Sequence, residues 1–102
     1  MRSSIQRQLR ILRDKYSEEG FILCGVFGSM ARGDEQEGSD IDILYRLEQG
    51  FHVRYRGLDA LARIDEIRLE LESGLGLSVD LADEDCLDDV GRRYVLPERI
   101  NV

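Results

Sequence analysis

Apolar residues recur along this chain with two different periods, and the alternation between them outlines an α/β fold. Ile5, Leu9, Leu12 and Tyr16 recur at helical spacing with Arg and Gln between them, which predicts an amphipathic first helix closing near Gly20. Phe21 to Phe27 is an unbroken apolar run and reads as a short strand. From Asp40 to Leu47 the period becomes two, with Ile41, Ile43 and Tyr45 on one side and Asp40 and Asp42 on the other. Leu58 to Ser73 returns to helical spacing, with Leu58, Leu61, Ile64, Ile67 and Leu71 as its stripe. Ala62 and Leu69 lie outside that stripe, so this helix is either deeply packed or offers one side to a partner. Leu77 to Ala82 alternates again, setting Leu77, Val79 and Leu81 against Ser78, Asp80 and Ala82.

The connections follow from the breakers. Ser29 to Arg32 reads as the start of a short helix stopped by Gly33, and Gly33 to Gly38 as an acidic loop. Glu48 to Arg56 is expected to be loop. Asp83 is placed to cap a short acidic helix running to about Gly91, and a last strand is expected near Ile100 to Val102. Together these elements predict a small mixed β-sheet with helices packed mainly on one face, in a single domain over residues 1–102.

Charge narrows the function. The 102 residues hold 21 acids and 14 bases, a net charge of −7, which argues against a protein that coats nucleic acid directly. It does not oppose a nucleotide held through metal ions, which carry their own positive charge. The apolar run from Phe21 to Phe27 is far too short to span a membrane, and the polar N-terminus carries no signal-peptide core. Cys24 and Cys86 stand far apart without metal-ligand spacing, so Cys24 is expected to be a buried free thiol in a reduced, cytoplasmic protein.

The candidate chemistry lies in the acidic strand. Asp is depleted in strands, yet Asp40 and Asp42 occupy one face of this one, roughly 6.5–7 Å apart by strand rise. Two carboxylates facing the same way repel each other, and a divalent cation between them removes that conflict. Asp80 has the same placement on another alternating strand. The competing reading is a solvated outer face of the sheet. Upstream, Gly28 allows a tight turn and a close ligand approach, and Ser29 opens a helix. The free amides of Met30, Ala31 and Arg32 there could hold phosphate. The competing reading of Gly28-Ser29 is an ordinary Ser cap.

The combination is more specific than its parts. Ten residues separate Ser29 from Asp40, giving G-S-x10-D-x-D. The string Gly28-Ser29-Met30-Ala31-Arg32-Gly33 to Ser39-Asp40-Ile41-Asp42-Ile43-Leu44 resembles the minimal nucleotidyltransferases of the polymerase-beta-like superfamily. Asp80, within Ser78-Val79-Asp80-Leu81, falls where that family has its third acid. The resemblance implies that Gly28 and Ser29 bind the β- and γ-phosphates of a nucleoside triphosphate. It implies that Asp40 and Asp42 bind two Mg2+ ions, and that Asp80 binds one ion and helps activate the attacking hydroxyl. The implied reaction is magnesium-dependent transfer of a nucleoside monophosphate, AMP from ATP, with loss of pyrophosphate.

Larger relatives add a second domain that holds the acceptor, for which this chain has no room. The resemblance therefore implies a hetero-oligomer with a HEPN-family toxin. This chain would be the antitoxin, adenylylating a toxin tyrosine. Two alternatives remain, a binding-only antitoxin that occludes its toxin and a transferase acting on a small molecule or RNA end. Arg32 could reach a nucleotide phosphate or pair with Asp34 or Glu35. His52, the only histidine, is expected to sit in a surface loop. The acids Asp83, Glu84, Asp85, Asp88 and Asp89 read as a solvated helix start, or as a surface docking on a basic groove.

Overall fold

The computed structural model describes residues 3–27, 40–84 and 100–101 of the chain. Helix α1 runs Ser3–Ser17, strand β1 Phe21–Phe27, strand β2 Ile41–Leu47 and helix α2 Gln49–Arg54. Helix α3 runs Leu58–Leu75, strand β3 Val79–Asp83 and strand β4 Ile100–Asn101. The strands form one mixed sheet in the order β3-β2-β1-β4. β1 is antiparallel to β2 and β4, while β2 and β3 are parallel, joined by the α2–α3 crossover.

The helices share one face of this sheet. Ile5, Leu9, Leu12 and Tyr16 of α1 meet Ile67 and Leu71 of α3 over Phe21, Leu23, Val26, Ile41, Ile43, Tyr45 and Val79. This is the predicted arrangement, a mixed sheet covered by helices on one side. Phe21 stacks on Tyr45 with ring centroids 4.7 Å apart, and Phe51 packs against Phe21 at 6.1 Å.

β1 contains a bulge that the sequence did not disclose. Leu23 pairs with Tyr45 but Gly25 pairs with Leu44, so Cys24 is an extra residue on that strand. Before the bulge Phe21 and Leu23 face the core; after it Val26 does. A continuous apolar run has no alternation in which such a shift could be read. Cys24 is outside any disulfide, as expected, but partly exposed rather than buried.

Residues 49–54 form helix α2 rather than the expected loop, and His52 lies on it, exposed. No side chain caps this helix. Tertiary packing holds it: Phe51 is fully buried. Gly20, at φ +86°, comes so close that a Cβ there would stand 2.6 Å from the Phe51 backbone nitrogen.

α3 departs from its expected stripe. Ile67 and Leu71 are buried and Ile64 partly so, but Leu58 and Leu61 are exposed. A spacing of three falls short of the 3.6-residue turn, so Leu58, Leu61, Ile64 and Ile67 drift halfway round the helix. The helix ends at Gly76, whose left-handed backbone (φ +71°) donates its N–H to the Glu72 carbonyl.

One charge network crosses the helical layer. Arg63 binds both carboxylate oxygens of Glu19, at 2.6 and 2.8 Å, and reaches Glu70 at 3.0 Å. Tyr55 donates to Glu19 and the buried Tyr16 donates to Glu70. Arg63 holds the Glu19 carboxyl below its ordinary value, aided by the Tyr55 hydroxyl and opposed by burial. The Tyr16 hydroxyl does the same for Glu70, helped by Arg63. Burial, then its bond to Glu70, pushes the Tyr16 phenol up.

The expected acidic helix up to Gly91 lies outside the described residues beyond Glu84, as does Cys86. The last strand is present at Ile100–Asn101. Among the described residues no helix is long and apolar enough to cross a membrane.

Candidate active site

The alternation of β2 and β3 settles where their acids lie. Ile41, Ile43 and Val79 point into the core, so Asp42 and Asp80 stand on the opposite face. Asp42 and Asp80 are register partners in the parallel ladder. Their Cα atoms are therefore about 4.8 Å apart, the ordinary strand spacing. On the other side Asp42 pairs with Phe27. Phe27, Asp42 and Asp80 thus form one row across three strands. The bulge sets this row, because it turns Phe27 to the carboxylate face. Asp80 is exposed, and Asp42 and Phe27 are half-buried. Farther along this face Leu44 is fully buried opposite Gly25.

Asp40 lies just before β2 and is exposed. The next residue, Ile41, donates its N–H to the Ser78 carbonyl at 2.9 Å, which starts the β2–β3 ladder. The structure therefore brings Asp42 and Asp80 together and leaves Asp40 one step outside the ladder. Among the described residues, no group of three His, Cys, Asp or Glu gathers to hold a metal ion. That does not exclude Mg2+ chemistry at the pair. Magnesium is commonly held by one or two carboxylates together with substrate phosphates rather than by an all-protein cage. Like charges directly opposed on neighbouring strands are unfavourable, and a divalent cation relieves them. Gly28, Ser29 and Arg32, the expected nucleotide-binding residues, lie outside the described residues.

Arg68 was not singled out from the sequence. It sits on α3, the helix that leads into β3, and binds Asp65 at 2.9 Å and Glu72 at 3.2 Å. Those carboxylates hold its charge, Asp65 first, with a smaller contribution from Asp80. Glu72 in turn accepts the N–H of Val79 at 2.9 Å, fixing the first residue of β3. Arg68 is thus tied, through Glu72, to the residue that precedes Asp80 on β3. The signal available in the sequence was its place on the crossover helix, on the turns that return to Asp80.

The sequence matches the nucleotidyltransferase domain family model over residues 5–100. Protein adenylyltransferase MntA of Thermococcus cleftensis is 37% identical over 91 residues, covering 89% of this chain and 81% of that protein. A candidate protein adenylyltransferase of Methanocaldococcus jannaschii is 36% identical over 77 residues, covering 76% of this chain and 68% of that protein. The structure of a candidate minimal nucleotidyltransferase matches with a TM-score of 0.74 and 33% identity, covering 97% of this chain and 93% of that one. The crystal structure of a toxin–antitoxin with AMP-PNP matches with a TM-score of 0.66 and 26% identity, covering 93% of this chain and 69% of that one.

Proposed function

We propose that this chain, which belongs to the nucleotidyltransferase domain family, transfers AMP from ATP to a hydroxyl on a partner protein. The observation that carries the reading is the register pairing of Asp42 with Asp80 on the face away from the core. Two relatives named for protein adenylyl transfer support a protein acceptor, and the match to a toxin–antitoxin bound to AMP-PNP supports a toxin as that acceptor. The partner in this reading is a HEPN-family toxin, the accepting group a tyrosine hydroxyl, and the chain a single catalytic module acting as antitoxin.

In the reaction, the acceptor oxygen forms a bond to the α-phosphorus while the bond from that phosphorus to the bridging oxygen breaks. Pyrophosphate leaves with the bond electrons, and the hydroxyl proton passes to Asp80. Asp42 and Asp80, with Asp40, would hold Mg2+, and Gly28, Ser29 and Arg32 would hold the phosphates. Magnesium bound there would supply positive charge to the developing oxyanions. The residues themselves position the reactants and shape the field around them.

The test incubates the chain with α-labelled ATP, magnesium and the product of a neighbouring reading frame that carries a HEPN R-x4–6-H motif. Label should appear on the toxin, depend on magnesium, and vanish with Asp42→Asn. A toxin that is neutralised without label refutes catalysis and sustains occlusion. Label on RNA or a small molecule instead refutes the protein acceptor.

A further inference from the structure

The outer side of α3 is built as a docking surface. Leu58, Leu61 and Leu69 are 80%, 65% and 52% exposed, and Ala62 is exposed beside them. At i, i+3, i+4 and i+11 they share the side of the helix opposite Ile67 and Leu71. That spacing suits another helix better than water. Asp65, which interrupts the stripe, is bound by Arg68, so its charge is already compensated.

The flanks of the stripe differ. On one flank Arg68 and Glu72 are engaged with each other, and Glu72 also holds the Val79 N–H. On the other, Asp59 and Glu66 stand seven residues apart, two turns along the helix, and both are exposed. Among the described residues Asp59 forms no ion pair. Glu66 is bound by Arg63 at 3.3 Å, but it shares that one guanidinium with Glu19 and Glu70. Together with Asp59, this flank therefore carries more carboxylate than cation, an excess that a basic partner would balance. A second copy of this chain is a poor occupant. Each copy carries a net charge of −7, and an antiparallel pairing of α3 with itself would set the acidic flank against its own kind. A parallel pairing would set it against Arg68, whose charge Asp65 and Glu72 already match.

We propose that this face holds an amphipathic helix of a different protein, with an apolar stripe bordered by Lys or Arg on one flank. The identity of that protein as the acceptor rests on the reading above; the surface does not depend on catalysis. The stripe starts roughly 25 Å along α3 from the end that leads to β3, by helix rise, and lies on the far side of the sheet from Asp42 and Asp80. A partner held there is tethered by one part while another part, passing the edge strand β3, presents its hydroxyl.

The probe is a fluorescein-labelled helical peptide with a leucine stripe and lysines along one flank, followed by anisotropy. The expected result is binding to the wild-type chain that weakens with salt. It falls at least about tenfold with Leu58→Glu/Leu61→Glu, and falls again with Asp59→Lys/Glu66→Lys. A control peptide with glutamates in place of the lysines should not bind. Equal binding of both peptides, or binding unchanged by either double substitution, overturns the proposal. So does sedimentation that shows a dimer abolished by Leu58→Glu/Leu61→Glu. The assay contains no ATP, and Asp42→Asn should bind the peptide as the wild type does. Its failure therefore leaves the catalytic reading standing, and failure of label transfer leaves the surface standing.

Discussion

The two faces of the sheet divide the work between them. One is sealed by α1 and α3, with Phe21, Tyr45 and Phe51 in ring contact and its polar groups tied into a closed network. The other places Asp42 beside Asp80, a pair of like charges that no folding argument would select. The first face is stabilised by burial of apolar surface; the second sets two acids side by side, Asp80 exposed and Asp42 half-buried. Such a division predicts that substitutions on the two faces separate stability from activity.

The largest expected effect tests the carboxylate face. Asp42→Asn should lower label transfer by about a thousandfold or more, while the thermal midpoint stays close to wild type because the side chain keeps its size and shape. A fall in midpoint that accounts for the lost activity would erase the distinction between the faces. On the sealed side, Phe51→Ala should cost about 3–5 kcal/mol in denaturant unfolding, with the specific activity of the remaining folded protein unchanged. Arg63→Met should cost about 1–3 kcal/mol by leaving Glu19 and Glu70 without their shared donor, again sparing transfer.

The pH dependence of stability sharpens the same contrast. Glu19 and Glu70 have folded-state values below their ordinary 4.5. Their contribution is present above that value and is lost as pH falls through the folded ones. Tyr16 has a raised folded value, so its contribution is present below its ordinary 10.0 and lost as pH rises beyond it. Chemical unfolding across pH should show both losses, and Arg63→Met should flatten the acid limb. The smallest effect is expected from Leu61→Glu, within about 0.5 kcal/mol of wild type, although it weakens helix docking.

The sequence was most legible where its periodicity was strict. Asp42 and Asp80 could be placed on one face because both strands alternate, and the parallel register then made them neighbours. Asp40 shares their parity and stands one residue before the ladder that begins at Ile41; parity says nothing of where pairing starts. Helix α2 left no signal because its segment, Gln49 to Arg54, has no capping side chain and carries a glycine in its first turn. It forms because Phe51 finds a pocket against Gly20, a contact between residues far apart in the chain. The leucines of α3 were read as core because a spacing of three looks helical while drifting around the axis. The drift exposes Leu58 and Leu61 and gives the helix its second role.

The extra residue at Cys24 has a consequence for change in this molecule. It acts as a phase shifter in β1. Deleting it would leave the composition of the strand almost untouched yet exchange the sides of Val26 and Phe27. A phenylalanine would be driven into a space fitted to valine, and the aromatic wall beside Asp42 would be replaced by a smaller one. A single deletion there should therefore damage both faces at once, although substitutions keep them apart.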